Sequence, residues 1–304
     1  MSFFTKKKIC VTHNGTFHAD DLFATAALSI LNNGNIKIIR TRKPKEIEKG
    51  DYVYDVGGEY NADKNLFDHH QKSGAGSREN GIPYSSFGLV WDKYGETICG
   101  NREVANLIDK KIVCPIDAVD NGFDISKSLI EGVRPYYADQ VFLNNIPTWK
   151  EDNSNIDQIF EEQVALVCIL LKREIKVAST DIEGKNIIME AYENSFDRRI
   201  VILSCDFPRY LFQQTLSILP EPTYLVYPSS HSTTWKVEAI SKSPDTMDSR
   251  KLLPESWWGY IDNDERLKEI TGVKDVMFCH RAGFLITALS KEGAIELAER
   301  ALVA

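Results

Sequence analysis

Short apolar runs alternate with stretches of helical spacing along the first part of this chain. Residues 9–12 (Ile-Cys-Val-Thr) run into a loop containing Gly15 and predict a strand. Between 20 and 31, Leu22, Phe23, Ala26, Ala27 and Ile30 recur at helical intervals, and Asn32-Asn33-Gly34 stops the pattern. A second strand is expected at 36–40, a single helical turn at 45–49, and a third strand at 52–56, closed by Gly57-Gly58. Strands alternating with helices predict an α/β fold built on a parallel sheet, whose sites lie in the loops at the carboxyl ends of strands.

Helical spacing returns at 85–94, 103–112 and 139–146, and 155–176 is strongly amphipathic through Ile156, Ile159, Phe160, Ala165, Leu166, Ile169 and Leu170. Beyond it the pattern changes. Strands are expected at 199–204, 224–227, 235–240 and 276–287, and helices at 210–218, 264–270 and 291–302. Consecutive strands now dominate, which predicts a smaller mixed-sheet α/β domain. The boundary is placed near residue 183, giving domains 1–183 and 184–304.

Composition narrows the setting. No apolar run approaches the ~18 residues of a membrane span. The lysines at 6–8 precede only a three-residue apolar run, too short for a signal peptide. Six scattered cysteines with no Cys-x-x-Cys pair argue against structural zinc and against a disulfide framework. A cytoplasmic protein is expected. The net charge of −8 disfavours a broad nucleic-acid-gripping surface, although bound divalent cations would reverse the sign locally.

The histidines change the picture most. Only six occur, and four of them fall within the first 70 residues, in His13-Asn-Gly-Thr-Phe-His18-Ala-Asp20-Asp21 and Asp68-His69-His70. Asp55 lies between the two groups, and Asp117-Ala-Val-Asp120-Asn-Gly follows. Imidazole and carboxylate suit manganese, iron, zinc or magnesium, and two metals bridged by such groups hydrolyse phosphate esters. Any one of these motifs alone reads equally well as a polar loop or a capped turn. Their joint placement at expected strand ends favours a metal site. Asp120 is preferred to Asp117 because it precedes Asn121-Gly122, a turn that can aim a carboxylate inward.

These residues carry a resemblance to the DHH phosphoesterase superfamily. The closer similarity is to the melanocyte proliferating gene (Myg-type) family, through Thr12-His13-Asn14-Gly15-x-Phe17-His18-x-Asp20, Arg40-Thr41-Arg42, Asp55-Val56-Gly57-Gly58-Glu59-Tyr60, Asp68-His69-His70-Gln71, Asp117-x-x-Asp120-Asn121-Gly122, Leu253-Pro254-Glu255-Ser256-Trp257 and His280-x-x-Gly283-Phe284. It covers nearly the whole chain. The resemblance implies a metal-dependent phosphodiesterase, a 3′→5′ exonuclease on single-stranded RNA or short oligonucleotides, with the site in a cleft between a DHH-type catalytic domain and a smaller substrate-binding domain. It implies two divalent ions, manganese or magnesium, and an activated water that attacks phosphorus. The ligands it implies are His13, His18, Asp20, Asp55, His69 and Asp120. Asp20, Asp68, His69 and His70 are the catalytic candidates, with Asp68 either ligating or supporting the histidines. Some superfamily members carry Asp where this chain has His18.

Substrate contacts are expected from His70, from the basic run Arg40, Arg42 and Lys43, and from the late group His231, His280, Arg281 and Gly283, where hydroxyl, Arg and Gly neighbours suit an anion. Trp257, Trp258 and Tyr260 are read as packing. A homodimer is allowed, and no membrane partner is expected. The alternatives are a pyrophosphatase or small-nucleotide phosphatase, which a dense basic pocket in the second domain would favour, and a non-catalytic RNA- or metal-binding protein, which loss of a core ligand would signal. The sequence shows neither feature.

Overall fold

The apolar runs of the amino-terminal part become neighbouring strands. In the computed structural model, which describes residues 6–261 and 263–304, β1 (Lys8–Thr12) lies parallel to β2 (Ile36–Arg40) on one side and to β3 (Tyr52–Tyr54) on the other. Two further strands, β4 (Tyr60–Asn61) and β5 (Leu66–Phe67), extend the sheet to the order β2-β1-β3-β5-β4. β5 is parallel to β3 and only the edge strand β4 is antiparallel, so the sheet is mostly parallel. Neither β4 nor β5 was expected, because two residues are too few to display alternation.

Helix α1 (Ala19–Leu31) follows β1 and is buried along its whole first part, Asp20 to Leu28. It packs on α3 (Ser86–Cys99), with the Phe23 and Phe87 rings 5.5 Å apart, while α2 (Pro44–Ile47) is the single turn expected between β2 and β3. α4 (Arg102–Ile108), a π turn (Asp109–Val113) and α5 (Cys114–Asp120) run on without a break. Pro115 cannot donate a backbone hydrogen bond to the preceding turn, and the π turn sits immediately ahead of it. The helix expected to end at 112 therefore continues, and Asp120 is its last residue rather than part of a free turn. The third expected helix shrinks to α6 (Gln140–Leu143).

The chain divides into two compact units, Met1–Ser179 and Thr180–Ala304, and the division falls inside α7 (Ile156–Glu193). This helix runs well past the expected 176. Gly184 marks a close approach rather than a stop: a Cβ there would lie 2.6 Å from Leu211 Cδ2. In the second unit, β6 (Ile200–Ile202), β7 (Tyr224–Pro228) and β8 (Trp235–Ala239) join β9 (Val276–Cys279) and β10 (Leu285–Ala288) in the order β6-β7-β8-β10-β9. Only β6 and β7 are parallel, so this sheet is mixed, as expected. Helices α8 (Arg209–Leu216), α9 (Glu265–Thr271) and α10 (Lys291–Val303) match their apolar spacing closely. The run at 276–287 resolves into the β9–β10 hairpin. Among the described residues, no helix is long and apolar enough to cross a membrane.

Candidate metal centre

Three parallel strands of the first unit end at one edge of the sheet, and each hands a titratable side chain to it. His13 follows β1, Asp55 follows β3, and Asp68-His69-His70 follow β5. Asp55 adopts a left-handed backbone, φ 54°, which Asp tolerates better than most residues, and Gly57 and Gly58 continue the reversal at φ 104° and 72°. The chain turns sharply there, and the carboxylate comes to rest among imidazoles. His13 Nε2 is 3.1 Å from Asp55 Oδ2, while His69 Nε2 and His70 Nδ1 are 3.5 and 3.4 Å from Asp55 Oδ1.

The amino end of α1 supplies the other side. The His18 N–H donates to Asp21 Oδ1 at 2.9 Å, and the Asp21 N–H donates to Asp20 Oδ1 at 2.7 Å. Carboxylates are favoured in this first turn by the partial positive charge of the helix end. Their second oxygens point into the cluster: Asp21 Oδ2 lies 3.4 Å from His13 Nε2, and Asp20 Oδ2 lies 3.9 Å from His69 Nε2. Asp120, from the end of α5, brings Oδ2 to 3.4 Å from His69 Nε2.

Three triads place one ligand atom each within 4.8 Å of one another: His13-His18-Asp55, Asp55-His69-His70 and His18-Asp20-Asp120. They overlap through Asp55, shared by the first two, and His18, shared by the first and third. The chemistry of the donors fits cations. His13 Nδ1 is 3.1 Å from the Asn14 carbonyl, to which it can only donate, so a neutral His13 turns the Nε2 lone pair toward two carboxylates. Among the described residues, His13 Nε2, Asp20 Oδ2 and Asp21 Oδ2 are all buried without a hydrogen-bond partner. Buried polar atoms in that state are costly unless something else satisfies them.

Charge crowding shifts the acidities. Burial raises Asp20 well above the carboxylate range, reinforced by Asp55, Asp120 and Asp21, and burial pushes Asp21 up to about 7. Asp120 is raised by burial despite the opposing pull of His69. At His13 and His69, burial opposes the charged form, but Asp55 and neighbouring carboxylates outweigh it and both pKa values rise. Asp55 runs the other way. Burial opposes its ionisation, yet His13 and His69 hold it below the usual range.

These shifts set the pH response of the metal-free protein. The groups with raised pKa bind more protons folded than unfolded, so stability falls as pH climbs through their window, which for Asp21 runs from 3.8 to about 7. The contribution of Asp55 is lost only below the carboxylate range. The metal-free Tm should therefore drop between about pH 6 and about pH 8, and manganese should raise it more at the higher pH, where the ligands shed protons readily. Differential scanning calorimetry with and without manganese checks this. A metal-free Tm that rises over that interval, with no larger manganese shift, contradicts the assigned charge states.

The structure separates the remaining candidates. Asp68 stands outside the triads. Its carboxylate accepts from the Gly58 N–H (2.5 Å) and the His70 N–H (3.0 Å), and Oδ1 lies 2.8 Å from His70 Nδ1, so it positions His70 and the glycine turn. His70 itself is open to solvent, its side chain 62% exposed. Asp117 points away from the cluster, accepting from Arg78, from the Ser85 hydroxyl (2.6 Å) and from the Gly88 N–H (3.0 Å).

Arg40 is not the free phosphate contact that its basic neighbourhood suggested. Its side chain is 2% exposed, and the guanidinium donates to Asp157 Oδ1 and to the Gly15 carbonyl at 2.6 Å each and lies over the Phe160 ring at 4.5 Å. It pins the loop between β1 and α1. Arg42 is exposed. In the second unit His231 and Arg281 are exposed and His280 is half-buried. Gly283 is required for a different reason than anion approach: its N–H already donates to the His280 carbonyl at 2.8 Å, and a Cβ would collide with the Trp258 indole. Trp257 is buried, and Trp258 donates its indole N–H to the Leu253 carbonyl, so both serve packing.

Two participants escaped the sequence reading. Asp21 was visible as half of an Asp-Asp doublet at a helix start, but first-turn acids are common caps and the doublet did not stand out. Arg78, which neutralises Asp117, carries no local signal.

The chain as a whole is similar to known proteins. A profile described as "Uncharacterised protein family (UPF0160)", MYG1_exonuc, matches residues 8–302. "MYG1 exonuclease" of Mus musculus is 30% identical over 325 residues, spanning 96% of this chain and 84% of that protein. The Bos taurus "MYG1 exonuclease" is 31% identical over 324 residues with the same coverage. Among solved structures, RecJ in complex with Mn2+ from Thermus thermophilus aligns with 98% of this chain and 52% of its own at 11% identity, with a TM-score of 0.27.

Proposed function

This chain belongs to the MYG1 exonuclease family, and from that membership together with the cluster of imidazoles and carboxylates we propose that it is a metal-dependent 3′→5′ exonuclease acting on single-stranded RNA. Two divalent ions, manganese or magnesium, would be held by His13, His18, Asp20, Asp55, His69 and Asp120. The observation that carries this reading is that His13 Nε2, Asp20 Oδ2 and Asp21 Oδ2 are buried without a hydrogen-bond partner, His13 and Asp20 within the overlapping ligand triads and Asp21 beside them at 3.4 Å from His13 Nε2. The four carboxylates of Asp20, Asp21, Asp55 and Asp120 match two dications in charge.

Bound divalent ions supply a nucleophile from water near neutral pH and offset the charge that builds on the phosphoryl oxygens. The chain's own groups do the rest. Asp55 and His18, each common to two triads, would link them. Asp21 holds the start of α1 through the His18 N–H and faces His13 with its second oxygen. His70, exposed and steadied by Asp68, would contact the phosphate or return a proton to the leaving oxygen. In the second unit His231, His280 and Arg281 are proposed as anion contacts.

Incubating the protein with 5′-end-labelled single-stranded RNA, with manganese and with EDTA, tests the proposal. A ladder that shortens from the 3′ end and disappears with EDTA is expected. Phosphate release from pyrophosphate alone, or inertness with both manganese and magnesium, contradicts it.

A further inference from the structure

Within the first unit, a cavity of about 580 Å³ opens directly beside the candidate metal centre. Two of its wall residues, His18 and Asp120, belong to one of the ligand triads. Away from that end the walls are apolar. Phe23 and Ile116 are buried in the fold, and Val119, Ile125, Leu143 and Leu170 complete the lining. The half-buried ring of Tyr137 adds an aromatic face, and its backbone N–H donates to Gln140 Oε1 at 3.2 Å. Polar groups are few: the Asp139 carboxylate and the Lys111–Glu174 pair, 2.5 Å apart.

We propose that this cavity is a nucleobase pocket, which receives the base of the nucleotide whose phosphate lies at the metal centre. The assignment deepens the phosphodiesterase reading and rests on it. A site with cation ligands at one end and an apolar, aromatic-bearing chamber behind them selects a ligand with an anionic head and a flat apolar body. A nucleotide has that form. The volume falls in the range of small-ligand sites, roughly 300–1,000 Å³. Stacking on an aromatic ring binds bases with little regard to identity. Asp139 adds an acceptor for an exocyclic amine, which adenine, guanine and cytosine carry and uracil lacks. The π turn contributes structurally, since it carries Lys111 and Ile112, both of which line the cavity.

Titration calorimetry on the intact chain tests this with AMP, ribose 5-phosphate and n-octyl phosphate in the presence of manganese, and with adenosine in EDTA. AMP should bind about tenfold tighter than ribose 5-phosphate, and tighter than octyl phosphate. Leu170→Trp and Ala138→Trp, from two different wall segments, should each erase the AMP preference and the adenosine binding while ribose 5-phosphate is held as before. Equal binding of AMP and ribose 5-phosphate by the unmodified protein overturns the pocket, as does a preference that survives in both variants. Tighter binding of octyl phosphate than AMP shows an acyl-type site and overturns it equally. Manganese binding, read by loss of the free-ion paramagnetic resonance signal, separates the two levels. Without it both readings fall; with it and with RNA shortening intact, absence of base preference removes only the pocket.

Discussion

Asp55→Asn should lower the proposed manganese-dependent RNA shortening by about 10²–10³-fold, the loss that follows removal of a single preorganised electrostatic group in other active sites. The expectation is this severe because Asp55 serves two triads at once, its Oδ2 facing His13 and its Oδ1 facing His69 and His70. An amide keeps the shape and tolerates the left-handed backbone at φ 54°, so the turn after β3 should survive. It does not carry the negative charge that draws two cations together. Folding, read by circular dichroism, should be unchanged while manganese stoichiometry falls. Wild-type activity in this variant contradicts the bridging role.

Asp117→Ala should do the opposite: damage the fold and spare manganese binding. Asp117 is fully buried, and Arg78, its guanidinium partner, has a side chain only 9% exposed. Burial pushes the Asp117 carboxyl up to about 6, with Arg78 pulling it back. Removing it leaves the Ser85 hydroxyl and the Gly88 N–H without their acceptor and Arg78 with Asp109 as its remaining carboxylate partner. Leaving those buried donors unsatisfied costs about 1–3 kcal/mol each, which for a protein of this size lowers Tm by roughly 5–10 °C. Gly88 belongs to the same arrangement, because a Cβ on it would collide with the Asp117 carboxylate. Asp120→Ala, three residues on, should leave Tm nearly unchanged in the metal-free protein and weaken manganese binding. A thermal scan in which Asp117→Ala melts with the wild type contradicts the structural assignment.

The pairing of those two aspartates shows what the sequence conveyed and what it withheld. Residues 68–70 and 13–20 were legible as a cluster because scarce histidines fell beside acids at strand ends. That β1, β2 and β3 would share a parallel sheet followed from their alternation with helical spacing, but their order did not. β5 did not, yet it is the two-residue strand that delivers Asp68-His69-His70 to the edge shared with His13 and Asp55. Arg78 was invisible because its partners, Asp109 and Asp117, are 31 and 39 residues away, beyond any local pattern. Arg40 misled for the same reason. A basic run reads as a surface patch until Asp157, 117 residues on, closes over it. Asp68 was read as either ligating or supporting the histidines and His70 as a substrate contact, and only the backbone turn shows the Asp68 carboxylate holding His70 and the Gly58 N–H.

Crystals equilibrated with manganese and measured at its absorption edge put the whole account at risk in one experiment. Two anomalous peaks about 3.5–4 Å apart, with the Asp55 carboxylate reaching both and His13, His18, His69 and Asp120 distributed around them, are what it requires. Density showing these side chains packed against one another with no heavy scatterer among them would mean that the cluster is a proton-sharing network and not a binuclear centre.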